Sequence, residues 1–271
     1  MKLIICATPI GNLGDITVRT LETLRNVDLI AAEDTRRTSI LLRHYEIETS
    51  VFRYDDHATI KGVDRIISEI KSGKTVALVS DAGMPLISDP GFLIVDRCIK
   101  EGIEVEVQPG PSALINAVVL SNFNSVGFHF MGFISRKKTD RIKDFAAVKN
   151  MKETMVFYES PKRLVKTLIT AREVLGNRKV AVFRELTKLY EEHIYTCIDD
   201  FISEYKEVEI KGEIVVCIEG CKESGSDLEP EKLLQQYMEE GMSKKDAIWI
   251  VSKETGIKKN EIYKLSLKEE K

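Results

Sequence analysis

Few residue clusters in this sequence have the make-up of a chemical site, and each sits in a polar stretch just after an apolar run. Glu33-Asp34-Thr35-Arg36-Arg37 sets two acids beside two arginines, and Arg184-Glu185-Leu186-Thr187-Lys188 sets an acid three residues before a lysine. Such groups can move a proton or grip an anion, but they also suit an ordinary capped helix start. Three loops have a different character. Residues 8–15 (TPIGNLGD), 80–91 (SDAGMPLISDPG) and 108–113 (QPGPSA) are crowded with glycine, proline, serine and aspartate. Prolines stiffen such loops and glycines remove the Cβ that would intrude, so a small molecule can lie against bare backbone. None of the three is a GxGxxG or Gly-Lys-[ST] phosphate loop, which argues against a nucleoside triphosphate. None of the three carries a Ser-His-Asp order, a cysteine nucleophile or a metal-ligand cluster, so the chemistry is expected to reside in a bound cofactor.

The elements that must position these loops are legible from periodicity. Residues 2–7, 28–32, 50–54, 76–79 and 103–107 read as strands. Ile16, Leu21, Leu24 and Val27 mark one helix face, and Ile60, Val63, Ile66, Ile67 and Ile70 mark another. Strand and helix alternate five times, which predicts a mostly parallel sheet with the three loops at the carboxyl ends of strands, where open α/β sheets bind ligands. Asp15 is expected to cap the first helix, Asp34 or Thr35 the second, and Pro111 or Ser112 opens a helix reaching Leu120.

A boundary near residues 121–126 introduces a second half. It has strands over 128–133, 154–158 and 179–183, an antiparallel one over 192–197, and a strand over 213–218 closing the sheet. Pro161 suits the first turn of a helix. The polar run 220–229 reads as a linker to a helical appendix with a capping box, Ser243 to Asp246, and Gly256 as a C-cap, in a helix-turn-helix pattern. The expected organisation is an N-terminal α/β domain over 1–120, a C-terminal α/β domain over 121–222 and a helical tail over 230–271.

Composition narrows the class. With 271 residues, 43% hydrophobic and 31% charged, the chain has enough apolar material for real cores, and no apolar run reaches membrane-spanning length. The apolar start Leu3 to Ala7 is too short for a signal peptide and reads as a strand. Five scattered cysteines suit reduced core thiols in a cytosolic protein, and Cys217 with Cys221 lacks the second pair that a zinc site needs. The net charge of −3 carries no global nucleic-acid signal. Any RNA contact must come from a local basic patch, and the densest is Arg136, Lys137, Lys138, Arg141 and Lys143.

The motifs taken together, Ala7-Thr-Pro-Ile-Gly-Asn-Leu-Gly-Asp15, Ala32-Glu-Asp-Thr-Arg36, the 80–91 loop, Pro109-Gly-Pro-Ser-Ala113, Phe157-Tyr-Glu-Ser-Pro161 and Arg184 to Lys188, resemble one family in order along nearly the whole chain. It is the bacterial small-subunit ribosomal RNA 2′-O-ribose cytidine methyltransferases, in the tetrapyrrole-methylase-like class of S-adenosylmethionine (SAM) enzymes. The resemblance implies two α/β domains with SAM in the cleft between them, a cytoplasmic homodimer and a decoding-region cytidine of the small ribosomal subunit as substrate. It assigns the cofactor to Pro9, Asp81, Ala82, Gly83, Met84, Ile87, Ser112, Ala113, Tyr158, Glu159, Glu185, Leu186, Gly212 and Glu213. Asp15, Asp34, Glu185 and Lys188 become candidate proton acceptors for the 2′-hydroxyl, and Arg36 a phosphate ligand. RNA would meet the 136–143 cluster together with Arg37, Lys162 and Arg163. Met84, Arg37 and Lys162 depart from the residues usual in the family, and its histidine-rich segment appears here as Tyr54-Asp55-Asp56-His57. Two rival readings are a methylase of this fold acting on a tetrapyrrole or protein side chain, and a non-catalytic RNA-binding or assembly factor.

Overall fold

The structure, a computed structural model, describes residues 1–54, 59–87, 92–123, 127–221, 230–239, 241–255 and 257–266. Asp55 to His57, Ser88 to Gly91, residues 124–126 of the expected boundary, nearly all of the expected linker and Gly256 lie outside them.

Residues 1–149 and 153–219 form one compact unit holding two sheets. The first contains β1 (Lys2–Cys6), β2 (Leu29–Ala32), β3 (Val51–Arg53), β4 (Val76–Val79) and β5 (Glu104–Gln108), in the order β3-β2-β4-β1-β5. Every pairing is parallel. Helices α1 (Val18–Asn26), α2 (Thr35–His44), α3 (Thr59–Lys71) and α4 (Phe92–Lys100) make the crossovers. Successive side chains of a strand point to opposite faces. Leu3, Ile5, Val76 and Leu78 accordingly pack with Ile66, Ile67 and Ile70 of α3 and Ile94 of α4, while Ile4, Cys6, Ala77 and Val79 pack with Leu24, Leu41 and Leu42 of α1 and α2. Burial on both faces is why these strands read as continuous apolar runs.

Asp34 caps α2 as expected, by accepting from the Arg36 amide at 2.9 Å. Asp15 does not cap α1. It ends a 3-10 turn at Leu13–Asp15, and the cap is Thr17, whose Oγ1 accepts from the Thr20 amide at 3.1 Å.

Helix α5 (Ala113–Ser121) follows β5 but packs on the second sheet, where Leu114, Ala117 and Val118 meet Val156, Ala181, Phe183, Val215 and Cys217. That sheet is mixed. Strands β6 (Phe128–Phe133), β7 (Thr154–Glu159), β8 (Lys179–Arg184), β9 (Glu192–Cys197) and β10 (Ile214–Ile218) run in the order β6-β7-β10-β8-β9. Helices α6 (Lys138–Val148), α7 (Pro161–Leu175) and α8 (Ile198–Tyr205) complete this half. The last strand therefore enters the middle of the sheet, antiparallel to both neighbours, instead of closing its edge. All five residues of β10 are buried, which suits a central position and not an edge.

The second unit, residues 150–152 with 220–271, carries α9 (Pro230–Glu239), α10 (Lys244–Thr255) and α11 (Lys259–Ser266) around Leu234, Ala247, Ile248, Val251 and Ile262. Ser243 caps α10, with its Oγ 3.2 Å from the Asp246 amide and 2.6 Å from the Asp246 carboxylate. No described helix is long and apolar enough to cross a membrane.

Candidate active site

The order β4-β1-β5 delivers the three glycine- and proline-rich loops side by side. The first two are bonded directly. The Thr8 amide donates to the Gly83 carbonyl at 2.9 Å, the Gly83 amide donates back at 3.0 Å, and the Thr8 hydroxyl donates to the Ser80 carbonyl at 3.1 Å. Gly83 has φ +78°, and a Cβ there would lie 3.3 Å from Cγ2 of Ile10, so this turn demands glycine twice over. Asp81 accepts from the Asp34 amide at 3.1 Å and pairs with Arg37 at 3.5 Å, which fixes the turn after β2 to the loop after β4.

The second sheet supplies the facing wall. Ile214 at the start of β10 lies opposite both Glu159 at the end of β7 and Arg184 at the end of β8. Glu185 and Thr187 are held in left-handed backbone, at φ 54° and 66°. The Glu185 amide donates to the Glu213 carbonyl at 2.9 Å, and the Glu213 amide donates to Glu185 Oε1 at 2.7 Å. A Cβ on Gly212 would fall 2.5 Å from Cγ of Glu185, so glycine there gives the carboxylate its seat. Lys188 Nζ bridges Glu185 at 2.9 Å and Glu213 at 3.1 Å. The Asn12 amide donates to the Thr187 hydroxyl at 3.1 Å, which ties the first loop to this cluster.

These walls enclose a cavity of about 440 Å³. Asp81, Ala82, Gly83, Met84, Ile87, Ser112, Ala113, Tyr158, Glu159, Leu186, Gly212 and Glu213 all line it. Pro9 and Glu185 do not, although Glu185 is bonded to Glu213, which does. Glu159 is fully buried. It accepts from the Ser160 amide at 2.7 Å and the Thr167 hydroxyl at 2.6 Å, and so is committed to starting α7. Phe133, Phe183, Ile214 and Val215 also line the space and were not singled out from sequence. Only the insertion of β10 into the sheet brings Ile214 and Val215 there. The lining is apolar with a few polar groups, and the volume falls in the range of small-molecule sites.

Other expected site residues are dispersed. Asp15 is exposed on its turn, and Asp34 is held by Arg36 through two bonds of 3.0 and 2.7 Å. Arg37, expected on RNA, lines the cavity. Two members of the expected RNA set are turned inward. Arg141 is 8% exposed and donates to the Thr170 hydroxyl at 2.9 Å, and Arg163 donates to the Ile134 and Ser135 carbonyls and pairs with Glu159 at 3.3 Å. Both hold α6 and α7 in place, and phosphate contact would require breaking those bonds. Lys138 pairs with Glu173 and Lys143 with Asp140 at the surface, and Arg136 and Lys137 belong to the same exposed segment.

The electrostatics follow from these partners. Burial alone would push the Glu185 carboxyl up, but the Glu213 amide and the Lys188 ammonium outweigh it and leave the carboxyl below its ordinary value. Burial would likewise lower Lys188, yet Glu185 and Glu213 raise it. The pair is therefore carboxylate and ammonium at neutral pH. The Arg36 guanidinium holds Asp34 well below the usual carboxylate range. Desolvation pushes the Cys6 and Cys217 thiols up to about 12, as inert core groups. Among the described residues, no cluster of three His, Cys, Asp or Glu side chains is placed to hold a metal ion.

Residues 2–202 match the family described as tetrapyrrole (corrin/porphyrin) methylases, and residues 224–271 match the RsmI C-terminal HTH domain. The ribosomal RNA small subunit methyltransferase I of Halalkalibacterium halodurans is 41% identical over 273 residues, covering 97% of this chain and 93% of that protein. The protein of the same name from Thermotoga maritima is 47% identical over 219 residues, covering 81% of this chain and 98% of that one. Among solved structures, a diphthine synthase superposes with a TM-score of 0.66 at 15% identity, over 81% of this chain and 90% of that one. A uroporphyrin-III C-methyltransferase from Thermus thermophilus, complexed with S-adenosylhomocysteine, gives 0.59 at 14% identity, over 80% and 97%. At such identities the structures speak for the fold alone.

Proposed function

This chain belongs to the tetrapyrrole methylase family, in its ribosomal RNA small subunit methyltransferase I group, and from that premise we propose that it methylates the ribose 2′-oxygen of a decoding-region cytidine in small-subunit ribosomal RNA. The observation that carries the site is the 440 Å³ cavity at the carboxyl ends of β4, β1 and β5, faced by the second sheet. Its glycine turn, its mostly apolar walls and its size fit SAM, whose sulfonium supplies an electrophilic methyl group when bound. The backbone of Ala82 and Gly83, the start of α5 at Ser112 and Ala113, and Gly212 with Glu213 would hold the cofactor. Ile10, Phe183, Leu186 and Val215 would exclude water from it.

Among the four candidate proton acceptors, Lys188 is the least suited, because its two glutamates keep it protonated. As an ammonium it is better placed to steady a ribose or phosphate oxygen, with Glu185 holding it in position. Glu185 and Asp34 remain in the proposal as carboxylates beside the cleft, through Glu213 and Asp81, and Asp15 as an exposed carboxylate on its turn.

We further propose a cytoplasmic homodimer. Ile115 and Val119 of α5 are 46% and 75% exposed, and Tyr195 on the edge strand β9, 54% exposed, donates to the Leu120 carbonyl at 3.0 Å. A contiguous apolar face of this kind favours self-association. Val119→Glu should yield a monomer by light scattering if this face is the interface.

The function is tested with labelled SAM and small subunits, or their free RNA, from a strain lacking the enzyme. Label on one cytidine 2′-oxygen is expected after nucleotide mapping. Label on a tetrapyrrole or protein instead, or no transfer at all, would overturn the reading.

A further inference from the structure

Beside the cofactor cavity lies a second depression of about 720 Å³, between α7 and the 205–212 segment that leads into β10. Ser160, Pro161 and Gly212 line both spaces, so the groove and the cavity are immediate neighbours. Its floor is apolar, made by Val165 and Ile169 of α7 and by Val208 opposite. Tyr205, stacked on buried Phe201 with ring centroids 4.5 Å apart, places an aromatic ring at one end.

The rim is basic. Lys162 and Lys166, four residues apart on α7, share one helix face, and Lys206 and Lys211 stand across from them. Some surface lysines are engaged, as Lys74 is with Glu69, Lys100 with Asp96 and Lys138 with Glu173, whereas Lys137, Lys149 and Lys179 stand singly without an acidic partner among the described residues. Lys162, Lys166 and Lys206 have no acidic partner among the described residues, and Lys211 has only the exposed Glu209 at 3.5 Å. Two glutamates, Glu207 and Glu209, do not neutralise four lysines, so the rim stays net positive. Unpaired ammonium groups around an apolar floor match the chemistry of a single nucleic-acid strand, which offers phosphates at its edge and flat bases between them.

We propose that this groove carries the RNA strand next to the methylated nucleotide, with phosphates on the lysine rim and a base against Tyr205 and the apolar floor. The proposal rests on the ribosomal RNA reading of the cavity and adds the path by which the strand reaches it. That path is built by α7 and the approach to β10.

The test uses the full chain carrying Lys166→Glu and Lys206→Glu together, assayed on small subunits from a strain lacking the enzyme. KM for the subunit should rise at least tenfold, while kcat and calorimetric SAM affinity stay at wild-type values. The slope of log affinity against log salt should flatten by about 1.4, from about 0.7 for each single-strand phosphate that the variant no longer neutralises. Ultraviolet crosslinking of the wild-type protein to subunits carrying 4-thiouridine should join RNA to the peptide spanning 205–212. An unchanged KM and salt slope in a variant that binds SAM normally would overturn the groove, as would 4-thiouridine crosslinks to other peptides of the chain that spare 205–212. Failure of the wild-type chain to methylate RNA at all would instead strike the functional reading, so the two failures are separable.

Discussion

Replacing Gly83 probes the cofactor site where its geometry is most constrained. A non-glycine residue in left-handed backbone costs about 1–2 kcal/mol, and a β-branched one sits at the upper end of the roughly 1–3 kcal/mol for strained conformations. With φ at +78° and the new Cβ 3.3 Å from Ile10, Gly83→Ala takes the first cost and Gly83→Val the larger one plus a clash. Against a total stability of about 5–15 kcal/mol the fold should persist, with melting lowered by about 2–8 °C for alanine. The relief available to the loop is to move away from Ile10, which strains the paired bonds between Gly83 and Thr8. Losing both, at about 1 kcal/mol each, displaces the backbone that would meet SAM and should weaken its binding by about 10- to 100-fold. Thermal melting and calorimetric titration of SAM on both variants read the two effects separately. A folded Gly83→Val protein that binds SAM with wild-type affinity would refute the placement of the cofactor against this turn.

Lys188→Met should cost about 1 kcal/mol, since the cluster is partly solvent-screened, and should depress kcat more than SAM affinity; equal kcat in the variant would remove Lys188 from the reaction. Glu185 is lowered, so its contribution to stability is present above its ordinary 4.5 and is lost as pH falls below that. Lys188 is raised, so its contribution is present below its ordinary 10.5 and is lost as pH climbs past that. Between these limits the cluster stays fully charged, and melting profiles of wild type and Lys188→Met should run parallel from about pH 6 to 9. Neutralising Arg136, Lys137 and Lys138 should weaken RNA binding and flatten its salt dependence while SAM affinity holds, and equal salt slopes would leave them as a solvated surface. A chain ending at Ser226 should fold, bind SAM and keep kcat, because every residue lining the cavity belongs to the unit of residues 1–149 and 153–219. Any loss should appear as a raised KM for the subunit, and a collapse of kcat would place the tail in the reaction.

The sequence by itself determined the first sheet and its loops. Runs such as Val76 to Val79 are apolar on both faces because parallel strands covered by helices leave no face for water, so local composition records the burial. The 80–91 and 108–113 loops were legible for a similar reason, since a stiff turn that admits a ligand needs glycine and proline in the chain itself. Half of the expected cofactor residues, among them Asp81, Gly83, Ser112 and Ala113, sit on these two loops and line the cavity. Tertiary structure alone decided the rest. The central place of β10 depends on pairing with β7 and β8, neither of them its neighbour in sequence, and only that pairing brings Ile214 and Val215 to the cavity. The arginines divided in the same way. Arg141 and Arg163 sit in basic stretches that look like an RNA surface, yet both are spent on neighbouring carbonyls, hydroxyls and carboxylates. Lys166, Lys206 and Lys211 form no cluster in sequence, and they meet only because α7 and the approach to β10 run side by side. A charge pattern reports which residues are ionic, whereas whether an ion faces water or a buried partner depends on what the folded chain places opposite it.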